Sequence, residues 1–79
     1  MPTILLIKGL RFFFWSNEND EPIHVHVTKG DANGKIWLEP DIKVEYLISF
    51  SNSEQKEILN IIQKNSENFK NKWNEYSNQ

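Results

Sequence analysis

In residues 23–29, Ile23-His24-Val25-His26-Val27-Thr28-Lys29, apolar and polar side chains alternate without a break as far as Thr28. Successive side chains on a strand point to opposite faces, so Ile23, Val25 and Val27 share one side. His24, His26 and Thr28 share the other. Strict alternation with two unlike faces is the mark of a half-buried strand in an antiparallel sheet. This stretch decides the fold.

Upstream, residues 17–22 (Asn-Glu-Asn-Asp-Glu-Pro) form a turn cluster, with Pro22 where the next strand begins. Before them, residues 11–16 hold three Phe and one Trp in succession, a strongly strand-like run suited to a central position. Residues 3–8 read as a first strand, joined to it by a tight turn at Gly9-Leu10. Downstream, residues 30–34 read as a loop and residues 35–39 as a fourth strand stopped by Pro40. Residues 41–50 fit either a short strand or a helical turn; the alternation of Ile42, Val44, Tyr46 and Ile48 favours the strand.

From residue 51 the period changes. Ser51 with Glu54 three residues later makes a capping box, in which each side chain satisfies the other's backbone N–H. Ile58, Ile61, Ile62, Asn65, Phe69, Trp73 and Tyr76 then recur at spacings of three and four. A helix over residues 52–76 would span about 37 Å, against about 17 Å for a five-residue strand. It should therefore either overhang the sheet or break near Asn65-Ser66; an overhanging end would expose Trp73 and Tyr76, although these two are expected as core or dimer contacts rather than as a ligand site. The expectation is one α+β domain over residues 1–79. Its sheet, within residues 3–49, has four or possibly five antiparallel strands and carries one long C-terminal helix on one face.

With 79 residues the chain can bury one core, and its stability is marginal. It has no cysteine, which excludes disulfides and thiolate metal sites and suits a reducing cytoplasm. The apolar run at residues 4–7 is too short for a membrane span or a signal-peptide core, so no membrane role is expected. A net charge of −2 argues against strong non-specific binding to a phosphate backbone.

If strands three and four form a hairpin around residues 30–33, Thr28 pairs with Lys35, His26 with Trp37 and His24 with Glu39. A two-residue Asn33-Gly34 turn would change the partners and keep the faces. If Ser16 opposes Ile23, then Trp15, Phe13 and Arg11 fall beside His24, His26 and Thr28. One face then holds Phe12, Phe14, Val25, Val27, Ile36 and Leu38 and should receive the helix. The other holds Arg11, Phe13, Trp15, His24, His26, Thr28, Lys35, Trp37 and Glu39, with no element left to cover it.

Three uses of that mixed face compete. Its rings would stack bases while Arg11 and Lys35 hold phosphate, with the histidines as general acid and base and Glu39 orienting His24. Alternatively His24 and His26, projecting together, would ligate a metal with Glu39 as the oxygen ligand. Or the face is a protein–protein surface or a second packing layer, since Trp, Phe and Arg are enriched at interface centres. No cofactor is called for by any motif.

The chain also resembles a known family. The residues that carry this are Met1-Pro2-Thr3-Ile4, Arg11-Phe12-Phe13-Phe14 with Ser16-Asn17, and Glu21-Pro22 before His24-Val25-His26-Val27. Trp37-Leu38-Glu39-Pro40 and Phe50-Ser51 complete the set. Together they are similar to the small prokaryotic family catalogued as domain of unknown function 4160, over nearly the whole chain. The resemblance implies a stand-alone bacterial protein often encoded beside another small protein, an arrangement similar to toxin–antitoxin pairs. It thus implies a partner protein or self-association, and an RNA-related role. The family's usual second proline after Pro22 is replaced here by Ile23. The leading expectation is a cytoplasmic interaction module that uses the His24/His26 face, with RNA as a further ligand. The alternative is a ribonuclease-like or metal-dependent enzyme seated on His24, His26 and Glu39.

Overall fold

A computed structural model describes residues 3–14 and 21–77, the side chains of Thr3, Tyr76 and Ser77 excepted. Five strands, β1 (Thr3–Ile7), β2 (Leu10–Phe13), β3 (His24–Lys29), β4 (Ala32–Trp37) and β5 (Lys43–Ile48), lie side by side in chain order. Every neighbouring pair is antiparallel. Among the described residues one helix, α1 (Asn52–Ser77), follows. The expected α+β architecture is present, with the fifth strand made by the segment that sequence left between strand and helix.

The turns differ from expectation in place. Ile7 pairs with Leu10, so the first turn is Lys8-Gly9, with φ of 54° and 81°, rather than Gly9-Leu10. Two consecutive positive φ values are what a two-residue hairpin loop of type I′ requires. Lys29 pairs with Ala32, so the second turn is Gly30-Asp31 alone, with Gly30 at φ 58°. Residues 32–34 look loop-like by composition, yet they extend β4. The reason lies above Gly34: a Cβ there would sit 2.4 Å from the Leu47 side chain and 3.0 Å from the Tyr46 carbonyl oxygen. Glycine in the strand is what lets β5 and Leu47 close over it.

Even positions of β2 and β4 and odd positions of β3 point to one side. There Leu10, Phe12, Phe14, Val25, Val27, Ile36 and Leu38 meet Ile58, Ile61, Ile62, Phe69 and Trp73 of α1 in one buried cluster. The buried stripe from Ile58 to Trp73 covers about 22 Å of helix axis, close to the length of a six-residue strand. Helix and strands thus match in the part that packs. The helix is unbroken, and Asn65 within the stripe donates from Nδ2 to the Ile61 carbonyl at 2.8 Å. Trp73 is buried rather than exposed on an overhang, and the side chain of Tyr76 lies outside the described residues.

The capping box forms as read. Ser51 Oγ accepts from the Glu54 N–H at 3.2 Å, and Glu54 Oε1 accepts from the Ser51 N–H at 2.9 Å. Lys29 at the β3–β4 turn donates to Glu54 Oε2 at 2.8 Å, and Lys8 at the β1–β2 turn pairs with Glu57. The helix start is therefore held to both hairpin ends. Lys29's hydrogen bond, then the Ser51 N–H, pull the Glu54 carboxyl down from 4.5 to about 2. A folded-state value below the unfolded one means the contribution is present above about pH 4.5 and lost as pH falls towards 2. Glu54→Gln should thus lower stability to urea at neutral pH and match wild type near pH 2. An equal deficit at both would show that the carboxylate charge is not what matters.

Candidate functional site

The face opposite α1 is laid out in rows by the strand registers. Leu6, Arg11, Thr28, Asn33 and Ile48 form one row across all five strands. Phe13, His26, Lys35 and Tyr46 form the next, and His24, Trp37 and Lys43 the third. Arg11 does fall beside Thr28 and Phe13 beside His26, as expected; Trp15 lies outside the described residues. The β3–β4 partners shift by two, to Thr28–Asn33, His26–Lys35 and His24–Trp37, because the turn is shorter than supposed. A shift of two preserves the faces.

One further irregularity shapes the surface. Between Lys35 and Ile36 the register with β5 slips, so that Tyr46 opposes Lys35 while Val44 opposes Ile36. Glu45 is the extra residue, and its Oε1 accepts from Trp37 Nε1 at 2.9 Å. The bulge splits what looked like a single alternation. Ile42 packs against the helix-side core, whereas Tyr46 and Ile48 come to the opposite face.

The histidines share that face, as expected, but they are not exposed on it: His24 is 0% and His26 7% accessible. A continuous set of rings encloses them. Phe13 stacks on His26 at 5.6 Å between centroids, and His26 meets His24 edge-on at 5.2 Å. His24 then touches Trp37 at 5.1 Å and Trp73 of the helix at 5.0 Å. Trp73 also meets Phe14 edge-on at 5.2 Å, so this one side chain closes the end of the sheet over residues of both faces. Sequence reading missed it, because the length of the stripe does not say how far a terminal ring reaches around the strand ends.

Polar contacts settle the orientation of His24. Its Nδ1 lies 2.9 Å from the Pro22 carbonyl oxygen. A carbonyl only accepts, so Nδ1 carries the proton. Nε2 faces Glu21 Oε1 at 3.8 Å, beyond hydrogen-bond distance. Glu21 also lies 3.5 Å from Lys35 Nζ. The carboxylate beside the histidines is thus Glu21, which sequence had left in a turn. Glu39, the expected partner, pairs with Lys70 of the helix at 3.6 Å. Among the described residues no three His, Cys, Asp or Glu side chains are grouped to hold a metal. His24, His26 and Glu39 therefore do not form the ligand set proposed from spacing.

The cations are engaged as well. Lys35 Nζ sits 4.5 Å from the centre of the Trp37 ring, and the Arg11 guanidinium lies 4.9 Å from that of Phe13. Such contacts hold a charge over the ring face that a base would otherwise use. Arg11 and Lys43 are exposed on this face, and its exposed apolar side chains lie towards the two sheet edges: Leu6 is 67% exposed, Ile48 50% and Tyr46 38%. Between them Phe13, His26, Thr28, Asn33 and Tyr46 line a depression of about 200 Å³, bordered by Val27 and Gly34.

Among protein-family models, one described as Domain of unknown function (DUF4160) matches residues 9–74. No curated protein matches, and no solved structure does. No helix among the described residues is long and apolar enough to cross a membrane.

Proposed function

This chain belongs to the DUF4160 family, and from that premise we propose that it docks a partner protein on the sheet face left open by α1. One observation carries the reading: Tyr46 and Ile48 stand exposed beside the depression between Phe13 and Tyr46. Thr28 and Asn33, being short beside Phe13 and Tyr46, leave room for that depression, and they offer a hydroxyl and an amide at its wall. A ring or branched apolar side chain of a partner fits there, with Arg11 and Lys35 forming part of a polar rim. Buried aromatic or apolar anchors within such a rim are the usual energetic centre of an interface. The histidines support this surface from within. In keeping with the family resemblance, the setting we propose is the cytoplasm of a bacterium. The partner there is the product of a neighbouring gene in a toxin–antitoxin-like pair.

Two other readings have less behind them. RNA binding would need ring faces that Arg11 and Lys35 already cover. Hydrolytic chemistry on His24 would need solvent or substrate to reach a side chain closed in by three rings.

The test is capture of the partner from the native host, followed by titration with the purified pair. Ile48→Asp, at a half-exposed edge position, should leave the unfolding temperature within a few degrees and weaken binding at least tenfold. Unchanged affinity would sink the proposal. RNA retained on the chain and released by Arg11→Ala or Lys35→Ala, with no protein bound, would replace it with the nucleic-acid reading.

A further inference from the structure

The two edges of the sheet differ in charge. β5 carries Lys43 and Glu45 and is bulged at Glu45, the devices that natural proteins use against edge pairing. β1 has an irregularity of its own between Thr3 and Leu5, but it reads Thr-Ile-Leu-Leu-Ile, carries no charge and no proline, and keeps an unbroken register with β2 from Leu5 to Ile7. Leu6 is 67% and Ile7 37% exposed there.

We propose that β1 pairs antiparallel with β1 of a second copy, joining two five-stranded sheets into one of ten strands. The inference is independent of the partner-docking reading, since it concerns an edge and not a face. Because Ile7 and Leu10 flank a two-residue turn, they form the hydrogen-bonded pair that closes the hairpin. The N–H and C=O of Leu6 then point away from β2, out of the sheet edge. Charge selects the occupant. A two-fold axis through an antiparallel pair brings β1 against an identical β1, and a charged strand would meet its own like charges. β1 brings none. Lys8, just beyond the strand, falls at opposite ends in the two copies and so keeps apart from its equivalent. A single five-residue strand pair buries less than a standard interface of about 1,200–2,000 Å², so the dimer is weak and depends on concentration.

The experiment is sedimentation equilibrium of the isolated chain from about ten to several hundred micromolar, with amide hydrogen exchange on the same samples. Wild type should rise from monomer towards dimer mass, and protection of the Leu6 amide should grow with concentration. Leu6→Lys should stay monomeric, with its folded state confirmed by circular dichroism. Three results would overturn the proposal: a wild-type chain that stays monomeric throughout, a Leu6→Lys variant that dimerises as well as wild type, or a Leu6 amide whose protection does not change with concentration. The exchange readout needs no variant, so a Leu6→Lys chain that failed to fold would still leave a decision.

Discussion

Phe69→Ala is expected to remove about 3–5 kcal/mol of stability and to lower the unfolding temperature by about 15 °C or more. Phe69 is fully buried, and its ring lies 5.7 Å from that of Phe12 on the central part of the sheet. Truncation to alanine removes the transfer energy of the ring. It also leaves a cavity that a strand on one side and a helix on the other cannot close without bending. A chain of this size has roughly 4–12 kcal/mol in all, so the loss is a large share of the total. Urea denaturation measures it. A loss below about 1 kcal/mol would mean that α1 does not pack on the sheet through this ring.

His24→Ala is the second large effect, and it separates structure from chemistry. The side chain is enclosed by His26, Trp37 and Trp73, and its Nδ1–H is the donor to the Pro22 carbonyl. Alanine would leave both a cavity and a part-buried carbonyl without that donor, at a combined cost of about 2–4 kcal/mol. His24→Phe keeps a ring among the rings and loses only the hydrogen bond, so it should cost less, about 1–3 kcal/mol. That ordering is the diagnostic. If His24→Ala unfolds at the wild-type urea concentration, His24 is not a packing residue and the enzymatic reading of the face regains its strongest candidate.

Much of this was legible in the sequence, for physical reasons that can be named. The strict alternation of residues 23–28 assigned faces correctly, because the period of a strand depends on backbone geometry alone. The Ser51/Glu54 box and the stripe from Ile58 to Trp73 are likewise local patterns, and both formed. The failures are of another kind. Asn33-Gly34 has turn chemistry, but the need to seat Leu47 over Gly34 draws it into β4. The bulge at Glu45, which separates Val44 from Tyr46, has no mark in the alternation it interrupts. Glu39 and Glu21 exchanged roles because the strand ends earlier than residue 39, and the chain beyond it turns to Lys70. The burial of His24 depends on a tryptophan 49 positions away; no local pattern encodes that distance.

Hydroxyl-radical footprinting of the chain, alone and with its captured partner, tests most directly which surface does the work. Tyr46 and Ile48 should lose reactivity on binding, while side chains of α1 outside its buried stripe, such as the half-buried Leu59 and the exposed Lys64, keep theirs. Protection confined to the helix, with Tyr46 and Ile48 still reactive, would contradict the assignment of the open sheet face.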